Sequence, residues 1–414
     1  MKINLGDSAF VIICSALVFL MTPGLALFYG GMARRKNILN TVMSSLFICG
    51  LASVMWVLVG YSLSFGEDFY GIIGGMNFFG MIGVGAEPSV YAPTIPHMLF
   101  AAFQLMFSIS APALITGALA ERMKFSALFI FVAAWLLLVY YPMAHMVWGN
   151  GGVINSLGAV DFAGGNVVHI SSGVSGMVVC IMLGKSLGYG RMAYRPCNIP
   201  LVVLGAGLIW FGWFGFNAGS AFGASSLAVH AFMTTNTSAA TAMLSWMLIE
   251  KVKQGKPTVL GAVTGAIVGL VAITPGAGFV SLYSSIIIGA IISPISYLFM
   301  GKIKFKFGYD DALDAFGCNG IGGIFGGIAT GLFAQTAINP AVKWNGLFFG
   351  DVRLLTAQIS GIAITIAFSV VMTFLIIKVM QLFIDIRVEG SVEAEGLDVA
   401  EHGETAYPAF NGLD

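Results

Sequence analysis

Long apolar stretches separated by short polar ones organise the whole chain. Eleven of them approach the ~20 mainly apolar residues that a helix needs to cross ~30 Å of hydrocarbon. They fall at about 8–31, 41–64, 97–119, 125–144, 162–184, 199–218, 228–250, 258–274, 279–300, 312–333 and 355–385. None shows the short alternation of a barrel strand, so the pattern predicts an all-α polytopic membrane protein with eleven transmembrane helices. Pro23, Pro112, Pro142 and Pro294 fall inside these stretches. Membrane helices tolerate such prolines where neighbours satisfy the freed carbonyls. The first stretch opens near Ser8 and runs far beyond the roughly 7–15 apolar residues of a signal peptide, so it reads as the first helix itself.

Composition narrows the class. Only 9% of the 414 residues are charged, 58% are hydrophobic and the mean hydropathy is +0.91. A soluble domain carries roughly 25% charged residues. A soluble enzyme, a disordered chain and a nucleic-acid binder, which needs a basic patch, are thereby excluded. The 19 basic residues balance 19 acidic ones in number but not in place. Loops after the odd-numbered stretches hold Arg34, Arg35, Lys36, Arg122, Lys124, Lys185, Arg191, Arg195, Lys251, Lys253, Lys256, Lys302, Lys304 and Lys306, and Lys378 and Arg387 end the last helix. The opposite face has Lys2, Lys343 and Arg353. The positive-inside rule then predicts a multi-pass protein of the inner (plasma) membrane, N-terminus outside and C-terminus cytoplasmic. Residues 1–386 read as the membrane domain and 387–414 as a cytoplasmic tail. Cys14, Cys49, Cys180, Cys197 and Cys318 have no disulfide or metal spacing and read as packing residues.

An internal repeat points to a site. Asp161-Phe-Ala-Gly-Gly-Asn-Val-Val-His169 and Asp311-Ala-Leu-Asp-Ala-Phe-Gly-Cys-Asn319 both start with Asp and place a polar residue eight positions on; Gly173 and Gly323 follow at the same offset. They open the fifth and tenth stretches. An odd offset of five makes this an inverted 5+5 repeat plus a final helix. Eight residues of helix put His169 ~12 Å from one face and Asn319 ~12 Å from the other, so the two approach near the midplane, where such repeats bind substrate. Asp161 and Asp311 read first as N-caps; Asp161 can also shape an outer binding site. His97, His145 and His230 lie near stretch ends and read as structural, His402 lies in the tail, and no pair of histidines suggests haem ligation.

Aromatic residues make up 13% of the chain. Phe103 and Phe107 share a helix face at i, i+4. Trp148 ends the fourth stretch, and Trp213-Phe-Gly-Phe216-Asn-Ala-Gly-Ser220 ends the sixth, so all three elements can converge near Asp161. Such rings attract a small cation or form an interfacial belt. Gly261, Gly265 and Gly269, with Gly322, Gly323, Gly326, Gly327 and Gly331, read as close-packing seams rather than nucleotide loops.

Several long motifs in order carry a resemblance. They are Met21-Thr-Pro-Gly-Leu-Ala-Leu-Phe-Tyr-Gly-Gly31, Gly117-Ala-Leu-Ala-Glu-Arg122, Ala144-His-Met-Val-Trp-Gly149, Asp161 to Ile170, Phe211 to Ser220, and Gly396 to Tyr407. Through them the sequence resembles the Amt/Mep/Rh ammonium transporter family, in its bacterial Amt branch. The resemblance implies a homotrimer with one pore per subunit, no cofactor and no enzymatic activity. It implies an external ammonium site at Phe107, Trp148 and Ser220 supported by Asp161, and a ring gate of Phe107 and Phe216 with Phe103 beside it. His169 matches the first of two pore histidines; the second falls on Asn319, which has no titratable proton. Two functions follow as expectations: an ammonium transporter or channel, or a transport-impaired ammonium sensor signalling through its tail to a fused or partner kinase. The family's tail also meets P-II-type regulators, and the chain stops soon after it at Asn411-Gly-Leu-Asp414. A cation-coupled solute symporter would need a wider polar cavity than this pattern offers.

Overall fold

The computed structural model describes residues 2–190 and 196–407, so Arg191, Arg195 and the terminal 411–414 lie outside the described residues. The helices run in order as α1 Leu5–Met32, α2 Arg35–Phe65, α3 His97–Leu119, α4 Phe125–Ser156, α5 Gly165–Leu183 and α6 Ile199–Gly219. Then follow α7 Ser226–Gln254, α8 Val259–Ile273, α9 Leu282–Phe307, α10 Phe316–Phe333 and α11 Arg353–Met380. Among the described residues nine of these are long and apolar enough to cross a membrane. The other two are α8, with 15 residues, and α7, whose middle carries Thr234-Thr-Asn-Thr-Ser238. Two short antiparallel hairpins, Asp68–Phe69 with Ile73–Gly74 and Pro88–Ser89 with Ala92–Pro96, cover the α2–α3 connection.

Helix starts follow local chemistry. The side chains of Asn4, Asn198, Ser225, Thr258 and Ser281 each accept a backbone N–H of the next turn, capping α1, α6, α7, α8 and α9. α5 and α10 begin later than hydropathy suggests, at Gly165 and Phe316, because Asp161 and Asp311 first build a cap turn. Gly164 takes φ +111 and Asp314 φ +58 in these turns. Both helices then open on a π-helical turn, Gly165–Ile170 and Phe316–Gly320. α4 and α9 also share one, at Leu136–Tyr140 and Phe299–Ile303. The paired segments of the repeat therefore match in backbone detail as well as in sequence. The later starts shorten the helical rise counted from each Asp, which leaves the depth of His169 and Asn319 to be judged from their contacts.

Small residues set the helix spacing. α1 and α6 form the most extensive helix pair. A Cβ added at Gly205 would lie 2.5 Å from the Gly24 carbonyl oxygen and 2.3 Å from Phe28 N. The α8 seam behaves as expected: a Cβ at Gly265 or Gly269 would meet Trp246 or Ala242 of α7 at 2.6 Å. At the basic end, the wholly buried Arg122 donates to Gly184 O at 2.9 Å, Ala118 O at 2.6 Å and Asp310 O at 2.7 Å, and pairs with the Asp310 carboxylate at 3.0 Å. Every such bond satisfies a charge that burial would otherwise penalise. After α11 the chain returns along this end. Arg387 donates to Leu183 O at 2.7 Å, Asn37 accepts Leu397 N at 2.8 Å, and Asp398 accepts Asn40 N at 2.8 Å.

Candidate functional site

Three cavities lie in series through the centre of the bundle. The outermost, about 310 Å³, is lined by Phe107, Trp148, Asp161 and Ser220 together with Gln104 and Asn339. The expected cluster from α3, α4, α5 and α6 thus converges. Trp148 meets Phe107 edge-on at 5.9 Å between ring centres, and its Nε1 donates to the Asp161 carbonyl at 2.9 Å. The Ser220 hydroxyl donates to Phe216 O at 2.9 Å, which turns its lone pairs away from that bond.

Asp161 does its work through the backbone. Its carboxylate accepts Gly164 N at 2.8 Å, Gly165 N at 2.6 Å, Asn166 N at 2.7 Å and Val167 N at 3.4 Å. Burial pushes its carboxyl above the usual range while these four donors pull it back. It is a cap and an anchor for Trp148, not a free anionic ligand.

Between this cavity and the next stand Phe107 and Phe216, their ring centres 4.2 Å apart at 30°. Phe103 does not line this path. It is fully buried behind Phe107, 5.0 Å from it, because α3 turns that position toward Phe222 and Gly219. Beneath the rings sits a small apolar cavity of about 20 Å³ bounded by Val168, His169, Trp213 and Phe216. A third cavity, about 100 Å³, continues inward past Trp213 to Cys318, Asn319 and Asp314.

His169 and Asn319 meet as the repeat predicts. His169 Nδ1 lies 3.0 Å from Asn319 Oδ1, and Asn319 Nδ2 donates to Ala315 O at 3.2 Å. The second bond orients the amide, so its oxygen faces His169 and the proton resides on Nδ1. Nε2 is then an acceptor. It is buried and has no hydrogen-bond partner among the described residues. Close backbone approach makes this meeting possible: a Cβ on Gly173 would lie 2.2 Å from Gly320 N, and one on Gly323 3.1 Å from His169 Cβ.

Sequence reasoning missed two members. Trp213, grouped with the outer aromatics, stacks on His169 at 5.2 Å and 8° and is held by Thr274 through Nε1 at 2.9 Å. Gln104 lines the vestibule, and its Oε1 is buried without a hydrogen-bond partner among the described residues; an amide within an apolar stretch is costly and was the available signal. The other four histidines each have a polar partner away from the cavities. His145 bonds Ser64 O and Asp68, His230 bonds Val280 O, His97 meets Tyr61, and His402 meets Asn40. At the inner end Lys304 donates to Asp314 at 2.8 Å, and burial pushes the Asp311 carboxyl above the usual carboxylate range against the pull of Lys304.

Comparison with known proteins agrees with this architecture. A model of the Ammonium Transporter Family matches residues 9–407. The ammonium transporter of Bacillus subtilis (strain 168) is 53% identical over 98% of this chain and 99% of its own. The crystal structure of Saccharomyces cerevisiae Mep2 superposes with a TM-score of 0.88 at 33% identity, covering 94% of this chain and 91% of that one. A structure named "Sensor Amt Protein" gives a TM-score of 0.87 at 28% identity, over 96% and 98%. The chain is a multi-pass membrane protein that belongs to the Ammonium Transporter Family.

Proposed function

We propose that this chain is an ammonium transporter that captures NH4+ in the outer vestibule and passes ammonia through the apolar path beneath it. Phe107 and Trp148 offer ring faces to the cation, worth roughly 0.5–2 kcal/mol per contact. The Ser220 hydroxyl and the Gln104 amide oxygen can accept its N–H groups. The closed rings of Phe107 and Phe216 bar a hydrated ion, and the apolar cavity below penalises charge, so the proton passes to water of the outer vestibule before the gate and stays on that side. Neutral ammonia then donates an N–H to His169 Nε2 and passes Asn319 to the inner cavity. The buried, partnerless Nε2 between two cavities is the observation that carries this reading.

Asn319 sets the proton balance. For His169 to relay a proton along the pair, its Nδ1 proton would have to move to an amide oxygen, which is not basic. The pair therefore binds ammonia without conducting protons. The test is proteoliposomes with an internal pH dye, given an outward-to-inward ammonium pulse. Faster internal alkalinisation than in empty vesicles, with little net current, is expected. No acceleration sinks the transport reading and leaves the second one: an ammonium sensor, favoured by Asn319 and by the likeness to the structure named as a sensor.

Further features fit the same proposal. All eleven helices cross the membrane as an inverted 5+5 repeat plus α11, with residues 1–386 as the membrane domain. The half-buried Asn236 and Thr237 on α7 need covering in a bilayer, and a second and third copy of the chain would cover them in a homotrimer. The Lys- and Arg-rich end is cytoplasmic, the N-terminus outside. The tail at 387–414, held to α5 and α2 through Arg387, Leu397 and Asp398, offers the outer face of its described part to a P-II-type regulator or to a fused signalling domain.

A further inference from the structure

A fourth cavity plays no part in the pore. It measures about 560 Å³, within the ~300–1,000 Å³ typical of ligand sites. It lies between the last turns of α5 and α9, floored by Met177, Phe299 and Phe316 and opening toward Lys185 and Gly308. From Met177 to the end of α5 at Leu183 the helical wall rises ~9 Å, more than half of a leaflet's hydrocarbon depth, and Lys185 follows two residues on.

The repeat explains why the space exists. In α4 the π turn Leu136–Tyr140 buries Leu136, Val139 and Tyr140, and α11 packs across it. In α9 the matching turn Phe299–Ile303 buries none of its five residues. There is one α11 for two such turns. The second is left with an apolar hollow.

Charge at the mouth indicates the occupant. Lys185, Lys302 and Lys306 are exposed and make no ion pair among the described residues. Lys185 lies over the Tyr189 ring at 5.1 Å, beside Gly308, and Lys302 and Lys306 adjoin the lining residues Ile303 and Phe307. The one acid among the lining residues, Asp310, is already engaged by Arg122 and by Ser186 N at 2.7 Å. A basic mouth over an apolar slot complements a phosphate carried on an acyl chain, and basic pockets between membrane helices take anionic head groups.

We propose that this cavity binds one anionic phospholipid, its acyl chain between α5 and α9 and its phosphate at Lys185, Lys302 and Lys306. The orientation proposed above makes it a lipid of the cytoplasmic leaflet; the site itself does not depend on ammonium movement. The experiment is native mass spectrometry of the full chain in detergent, titrated with phosphatidylglycerol or phosphatidylcholine. Wild type should bind one phosphatidylglycerol per chain in preference to phosphatidylcholine. The triple variant K185Q/K302Q/K306Q should lose that preference, by about fivefold per lysine. Ile181→Trp, which fills the slot, should lose the bound lipid. Equal binding of both lipids by wild type overturns the proposal, as does a preference that survives in the triple variant. So does efficient disulfide cross-linking between copies bearing Phe307→Cys, which would give the hollow to a second chain. Should Ile181→Trp not fold, the three exposed substitutions carry the test alone.

Discussion

The beginnings of α5 and α10 are built by the same device and end in different chemistry. Each opens on an aspartate that accepts backbone N–H groups, turns through a left-handed residue and enters a π turn. Asp161 caps four donors and also anchors Trp148, whereas Asp311 caps Ala315 N and Phe316 N at 3.0 and 2.8 Å. The first turn delivers an imidazole to the centre, the second an amide. A shared backbone therefore fixes where the two polar groups stand, and the residue type alone decides whether a proton can move between them.

The widest gap between the two starts should appear on removing the caps. Asp161→Ala orphans four buried N–H groups, each worth about 1–3 kcal/mol, and should lower the thermal unfolding midpoint more than Asp311→Ala, which orphans two. A reversed order in a melting series would mean that the inner start, not the outer, holds the helix pair together. Next in size is Trp148→Leu, which removes one ring face and the bond to Asp161. Ammonium affinity by calorimetry should fall about tenfold, and unchanged binding would remove the vestibule from the site.

Restoring titratable symmetry tests the chemistry at the meeting point. Asn319→His should raise ammonium-driven current in proteoliposomes severalfold, because a second imidazole can accept the Nδ1 proton of His169. A current equal to that of the unaltered chain would show that the amide already suffices. Ser220→Ala should give the smallest change, a two- to threefold loss of affinity, as expected for one hydrogen bond of about 0.5 kcal/mol. A loss as large as that of Trp148→Leu would shift the weight of recognition from the rings to the hydroxyl.

Hydropathy made the helices legible, including α7, whose polar middle falls below the hydropathy that marks a spanning helix. The repeat made His169 and Asn319 legible as partners, because matched spacing from matched caps carries through to three dimensions. What escaped was orientation. Phe103 and Phe107 share a face by i, i+4 counting, yet only Phe107 reaches the cavity, since the other ring is pressed back by Phe222 and Gly219. Trp213 escaped for a similar reason: its ring turns inward to lie flat on His169. Side-chain direction at a helix crossing is decided by the neighbouring helix, and sequence spacing does not contain that neighbour. The hollow beside α9 was invisible too, because α11 packs over the π turn of α4 and no matching helix covers that of α9 among the described residues.

The contact of Gly173 with Gly320 has one more consequence. Since the two helices touch backbone to backbone, the place where the imidazole meets its partner does not depend on how bulky side chains pack around it. Position 319 behaves as a socket: the frame stays put while the fitting is exchanged. On the proposed transport reading, a lineage could convert a conductive pore into a quiet one, or back again, by a single codon without rebuilding the membrane bundle around it.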